Sequence, residues 1–121
     1  MTVLDASAVL AFLQGEPGAD VVEEALESGA VCGASNWSEV AQKVIGAGRD
    51  WSLVAALLDS YDIEVLPVDR DDAEAAASMW RAGSGLSLAD RLCLALGDRL
   101  DCDILTADSV WGTDGRVQQI R

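Results

Sequence analysis

The chain has 121 residues, half of them hydrophobic, which is the size expected of one domain around a single buried core. It contains no histidine, so serine–histidine and cysteine–histidine catalytic sets and paired-histidine zinc sites are excluded. Its net charge of −13, with 21 acids against eight arginine and lysine residues, argues against a protein that holds nucleic acid tightly through a basic surface.

The first third of the chain alternates short β-prone runs with helical ones. The segment from Thr2 to Asp5 predicts a strand that ends at an aspartate, and Ala6 to Leu13 predicts a helix directly after it. A break at Gly15 to Gly18 precedes a second helix over Ala19 to Leu26. Ala30 to Gly33 predicts the second strand.

The same alternation continues to the end of the chain. Helices are predicted over Ser35 to Ile45, Asp50 to Tyr61, a segment that Asp69 caps, and a segment that contains Asp90 and ends at Leu100. Further strands are predicted over Ile63 to Pro67, Cys102 to Thr106 and Arg116 to Ile120. The connections are too long for hairpins. We therefore expect an α/β fold in one domain over residues 1–121, with a mostly parallel four- or five-stranded sheet flanked by helices.

Location and redox state follow from what the sequence lacks. No apolar run approaches the roughly 20 residues of a membrane span, and no signal peptide is visible at the N-terminus. Cys32, Cys93 and Cys102 are odd in number and lack C-x-x-C spacing, so they are predicted to be reduced and buried. A cytoplasmic protein without membrane contact is expected.

Four acids occupy positions where ligands bind in such folds. Asp5 and Asp108 follow predicted strands at the carboxyl edge of the sheet, and Glu39 and Asp90 lie early in predicted helices. Each acid has a simpler explanation as a helix cap: Asp5 and Asp108 as N-caps, and Asn36-x-x-Glu39 and Ser87-x-x-Asp90 as capping boxes.

The four acids taken together are harder to explain as caps. Two carboxylates about 5 Å apart repel by about 3 kcal/mol at an effective dielectric of 20, so a cluster needs a compensating cation. An all-oxygen ligand set selects Mg²⁺ or Mn²⁺ over zinc, and such an ion suits chemistry on phosphates. Hydroxyls of Ser7 and Thr106 lie next to the cluster, where they either orient a carboxylate or water, or only satisfy local backbone donors.

Cationic side chains and tryptophans are the other candidates for contact with nucleic acid. Lys43, Arg49, Arg91 and Arg99 are the cations available for a phosphate; Arg91 is the best placed, although a solvated role is the commoner one for such a residue. Trp37, Trp51, Trp80 and Trp111 stand among apolar residues, which favours packing in the core or at a subunit interface over base stacking.

The order and spacing of four motifs resemble those of a PIN-domain ribonuclease over essentially the whole chain. The motifs are Leu4-Asp5-Ala6-Ser7-Ala8, Ser38-Glu39-Val40, Leu86-Ser87-Leu88-Ala89-Asp90 and Leu105-Thr106-Ala107-Asp108. The length is similar to that of VapC-type toxins of toxin–antitoxin pairs.

The resemblance implies a Mg²⁺- or Mn²⁺-dependent endoribonuclease. Its metal would be held by Asp5, Glu39, Asp90 and Asp108, with Thr106 assisting, and an activated water would hydrolyse the RNA phosphodiester. It also implies a homodimer and a cognate antitoxin that blocks the acidic cleft with a basic segment.

The sequence also raises two alternative functions. An acidic PIN-like scaffold without nuclease activity, which binds a basic partner protein, is favoured by the scarcity of cations and disfavoured by the complete set of four acids. An aspartyl-phosphate phosphotransferase of the haloacid dehalogenase kind needs a second acid two residues after the nucleophile, where this chain has Ser7.

Overall fold

In the computed structural model, which describes residues 1–121, five short strands form one parallel sheet. The strands are β1 (Thr2–Leu4), β2 (Ala30–Gly33), β3 (Glu64–Leu66), β4 (Asp103–Thr106) and β5 (Val117–Gln119). Their spatial order is β3-β2-β1-β4-β5, and all four neighbouring pairs are parallel. The predicted α/β class and the fifth strand are confirmed.

Six helices connect and cover the strands. They are α1 (Ala6–Gln14), α2 (Ala19–Ser28), α3 (Ala34–Gly46), α4 (Trp51–Asp59), α5 (Arg70–Ser78) and α6 (Leu88–Leu100), and a short 3₁₀ helix spans Ser109–Trp111. No helix of the chain has both the length and the apolar character that crossing a membrane requires.

The central strands are apolar because helices cover both faces of the sheet. Successive side chains of a strand point to opposite faces, so Val3 and Ile104 pack with α6 while Leu4 and Leu105 pack with α1, α2 and α3. All four are at most 5% exposed. The strand order places the carboxyl ends of β2, β1, β4 and β5 side by side along one edge.

Helix α6 is fixed tightly between the sheet and α5. At Gly97 a Cβ atom would overlap the side chain of Ile104 on β4, so α6 can approach the strand only because this residue has no side chain. On its other side Arg99 donates two hydrogen bonds, of 2.8 and 3.1 Å, to the Asp72 carboxylate of α5. The helix that carries Asp90 therefore has a defined position.

Cysteines and tryptophans largely follow the predicted packing. The three cysteines are buried and unpaired, as predicted. Trp111 is buried, and Trp37 and Trp51 pack edge to face with ring centroids 5.2 Å apart. Trp80 differs, because it follows the last residue of α5 and is 63% exposed. Trp80 is therefore outside the core, and the predicted alternative, packing at a subunit interface, stays a prediction for that residue.

Candidate active site

Asp5 stands where β1 passes into α1. Its backbone is extended, and its Oδ1 accepts a 2.8 Å hydrogen bond from the Ala8 N–H as the N-cap of the helix. Only 3% of the residue is exposed. The predicted capping role is therefore confirmed, and it fixes the carboxylate at the sheet edge.

Two hydroxyls complete the surroundings of Asp5. Thr106 ends β4, whose register places Leu105 beside Leu4, and its Oγ1 donates a 2.6 Å hydrogen bond to Oδ2 of Asp5. Thr106 Oγ1 also accepts a hydrogen bond from the Asp108 N–H at 3.0 Å. Ser7 Oγ lies 2.8 and 2.9 Å from the two Asp5 oxygens and accepts the Ala107 N–H at 2.9 Å. Both predicted roles of these hydroxyls, orienting a carboxylate and satisfying backbone donors, are present together.

Asp90 and Asp108 each use one oxygen as a cap. In the capping box at the start of α6, Oδ2 of Asp90 accepts the Ser87 N–H at 2.9 Å. Oδ1 of Asp108 accepts the Val110 N–H at 2.9 Å at the start of the 3₁₀ helix. The other oxygen of each carboxylate has no hydrogen-bond partner in the protein. Capping and a place in the cleft are compatible for both residues.

Glu39 reaches the cleft from inside α3. That helix begins at Ala34 with Gly33 as its N-cap, so Asn36 is a buried residue within the helix and the predicted Asn36–Glu39 capping box is wrong. The cause is that the chain passes from β2 into α3 without a loop. Glu39 accepts no hydrogen bond from the protein, which leaves both of its oxygens available.

All four acids, together with residues of α1, line one open cleft of about 390 Å³. No three acidic or cysteine side chains of the chain are close enough together to form a ready-made ligand set for a metal ion. The acids therefore surround a shared space and do not form a closed cage.

The acids raise one another's proton affinity. Burial raises the pKa of Asp5, and the charge of Asp90 adds to the effect despite the hydrogen bonds that oppose it. Burial, followed by the charges of Asp90 and Asp5, also raises the pKa of Glu39. Burial, followed by the charges of Asp5 and Glu39, raises the pKa of the nearby Cys32 thiol to about 12, which favours the protonated thiol.

The cations predicted as phosphate contacts mostly lie elsewhere. Arg91 donates to the Ala76 carbonyl at 2.9 Å, and Arg99 is paired with Asp72. Arg49 lines a neighbouring groove, whereas Lys43 lines the acidic cleft itself. Arg121 also lines the cleft. No local pattern marks Arg121, because its position depends on β5 lying next to β4.

Comparison with known proteins assigns the family. A family model of the PIN domain matches residues 2–112. The chain belongs to the PIN-domain family. It is 39% identical over 105 residues to ribonuclease VapC42 of Mycobacterium tuberculosis, across 78% of this chain and 80% of that protein. The resemblance inferred from the four motifs is confirmed, and the relationship extends to the VapC ribonucleases within the PIN family.

Two solved structures share the fold over at least 97% of this chain. A toxin–antitoxin complex from Klebsiella pneumoniae has a TM-score of 0.77 at 18% identity, covering 100% of this chain and 98% of that one. The sarcin–ricin loop cleaving toxin VapC20 of Mycobacterium tuberculosis has a TM-score of 0.73 at 16% identity, covering 97% of both chains. At these identities the structures establish the PIN fold.

Proposed function

We propose that this PIN-domain protein is a Mg²⁺- or Mn²⁺-dependent endoribonuclease and the toxin of a type II toxin–antitoxin pair. The observation that carries the proposal is the convergence of Asp5, Glu39, Asp90 and Asp108 on one cleft in a relative of the VapC ribonucleases. Four carboxylates suit a hard cation, and a chain without histidine must perform its chemistry with carboxylates and such an ion.

The residues fit the cation in their chemistry. Asp90 and Asp108 each offer a free oxygen, and Glu39 offers two. Burial, with a contribution from neighbouring acids, raises the pKa values of Asp5 and Glu39, and a nearby cation would counter both effects. When bound, a divalent cation supplies Lewis acidity toward the phosphate and lowers the pKa of water.

The chain's own groups position this site. Thr106 and Ser7 direct their hydroxyl protons at Asp5, which fixes the orientation of the carboxylate and favours its ionised form against the effect of burial. Glu39, which has no protein hydrogen-bond donor, is free to take a proton from the water that attacks the phosphodiester. Asp90 and Asp108 are held by backbone N–H groups and keep their outward oxygens in place.

A protein partner and a second subunit are part of the same proposal. The cleft is acidic and the chain carries a charge of −13, so a basic segment of a cognate antitoxin is the expected inhibitor. Ile45, Leu53 and Leu57 on α3 and α4 are 60%, 70% and 45% exposed, which provides apolar surface for a homodimer or for that antitoxin. Cytoplasmic location follows from the proposed role.

Cleavage of RNA by variants that preserve the caps tests the proposal. Asn retains an N-cap oxygen, so Asp5→Asn and Asp90→Asn should fold normally while losing cleavage and growth inhibition. Asp98→Asn is the matched control, since Asp98 is an exposed acid on α6 outside the cleft. Full cleavage by both variants would contradict the proposal. A wild-type protein that binds a basic peptide but cuts no RNA with either metal would instead favour the scaffold function.

A further inference from the structure

Four of the eight cationic side chains of this acidic chain are already engaged. Arg70 pairs with Glu74, Arg99 with Asp72, and Arg116 with Asp98 and Asp101. Arg91 donates to a main-chain carbonyl of α5. The positive charge available to an anionic substrate is therefore limited to a few side chains.

Two of the cations that remain line the acidic cleft. Lys43, the only lysine of the chain, lies one turn after Glu39 on α3, is exposed, and has no acidic partner within ion-pair distance. Arg121 uses Nη1 to donate to the Pro17 carbonyl at 3.1 Å, with a Glu16 oxygen 4.0 Å away. Its Nε and Nη2 groups have no protein partner, so they remain free to donate.

Two different elements bring these cations to the cleft that the four acids line. Glu39 and Lys43 belong to the helix that follows β2, Asp5 follows β1, Asp108 follows β4, and Arg121 follows β5. Between β2 and β5 lie three strand spacings, about 14 Å in all. Lys43 and Arg121 are therefore the two cations of a cleft that is otherwise lined by acids, among them Glu16 beside Arg121.

We propose that Lys43 and Arg121, the two cations of the cleft, bind RNA phosphates next to the scissile one. This inference rests on the proposed ribonuclease function. A cation held by the four acids would serve only the scissile phosphate. The neighbouring phosphates still approach a negatively charged protein, and the side chains of Lys43 and Arg121 offset that repulsion.

Salt dependence of RNA binding measures these contacts directly. The probe is a labelled single-stranded phosphorothioate oligoribonucleotide, which keeps the backbone charges and resists hydrolysis; its binding is followed by anisotropy with Mg²⁺ present. Each lost phosphate contact should reduce the slope of log K against log salt by about 0.7. We expect this reduction for Lys43→Gln and for Arg121→Gln, together with a raised KM and little change in kcat for RNA cleavage.

Controls separate a lost contact from a general charge effect. The variants Lys43→Arg and Arg121→Lys keep the charge, so they should show the wild-type salt slope. Arg70→Gln removes one charge from exposed α5, away from the cleft, and should also leave the slope unchanged. Wild-type slopes for both glutamine variants would overturn the inference. If wild-type protein cuts no RNA but both glutamine variants still lose slope, the nuclease function fails and the phosphate contacts stand.

Discussion

The Thr106 hydroxyl donates a 2.6 Å hydrogen bond to Oδ2 of Asp5 across 101 positions of sequence. Parallel pairing of β1 with β4 creates this contact, because it places Leu105 beside Leu4 and hence Thr106 beside Asp5. The Thr106 hydroxyl oxygen also accepts the Asp108 N–H, so one fully buried hydroxyl links two acids of the cleft.

Replacing Thr106 by valine should therefore weaken the site while keeping its volume. Asp5 loses a donor, and the Asp108 N–H loses its acceptor. Loss of such an orienting group typically lowers metal affinity or activity by about 10- to 100-fold. RNA cleavage rates and Mn²⁺ affinity check this, and Thr106→Ser, which keeps the hydroxyl, should recover most of both. Equal losses in the valine and serine variants would show that the hydrogen bond is unimportant.

Binding of a divalent cation should raise the melting temperature of the wild-type protein. A ligand that binds only the folded state, at 100 times its Kd, adds about 2.7 kcal/mol to the free energy of unfolding. Thermal denaturation with increasing Mg²⁺ or Mn²⁺ measures this. Asp90→Asn should reduce the gain and Asp98→Asn should not. If millimolar Mg²⁺ or Mn²⁺ leaves the melting temperature unchanged, that result would argue against a cation site.

The raised pKa of Glu39 predicts a pH effect on the metal-free protein. A folded-state pKa above the ordinary 4.5 means that the protonated form favours folding. That contribution is complete below pH 4.5 and is lost as the pH rises through the folded-state pKa. Glu39→Gln should thus be more stable than wild type at pH 7 in a chelator, and this advantage should vanish near pH 4. Thermal denaturation across this range tests the sign.

Asp72 should show the opposite pH dependence. Burial favours its neutral form, but hydrogen bonds from Arg99 and from the Asp69 backbone outweigh that effect and lower the pKa of Asp72. Its contribution to stability is present above its ordinary value of 3.8 and is lost as the pH falls through the lowered pKa.

Replacing Asp72 by alanine should cost about 2 kcal/mol of unfolding free energy at pH 7, the usual loss for hydrogen bonds to charged groups. Urea denaturation measures it. RNA cleavage by the folded variant should be unchanged, because the contact lies at the end of α6 remote from Asp90; reduced cleavage would show that the position of α6 depends on this pair.

Sequence periodicity predicts the elements well because each one carries its own signals. The apolar runs at Val3, Val31 and Ile104 are short and continuous, as buried parallel strands require, and Ser87 and Asp90 mark the start of α6. The four acids are likewise predictable, since each follows a strand or belongs to a helix at the same edge of the sheet.

The cations are not predictable in this way, because a long side chain follows its tertiary neighbours. Arg91 is adjacent to Asp90 in sequence, yet its guanidinium points to the Ala76 carbonyl on α5. Arg121 is distant from every acid motif in sequence, yet it lies in the cleft because β5 is the neighbour of β4. The exposure of Trp80 similarly depends on where α5 ends.

Three of the four acids begin helices, and this has a consequence for the metal-free protein. Asp5, Asp90 and Asp108 each accept a backbone N–H at a helix start, where the partial positive charge of the helix end favours an anion. Their mutual repulsion is partly offset by the backbone itself. The metal-free fold therefore already provides a backbone donor for three of its four cleft acids.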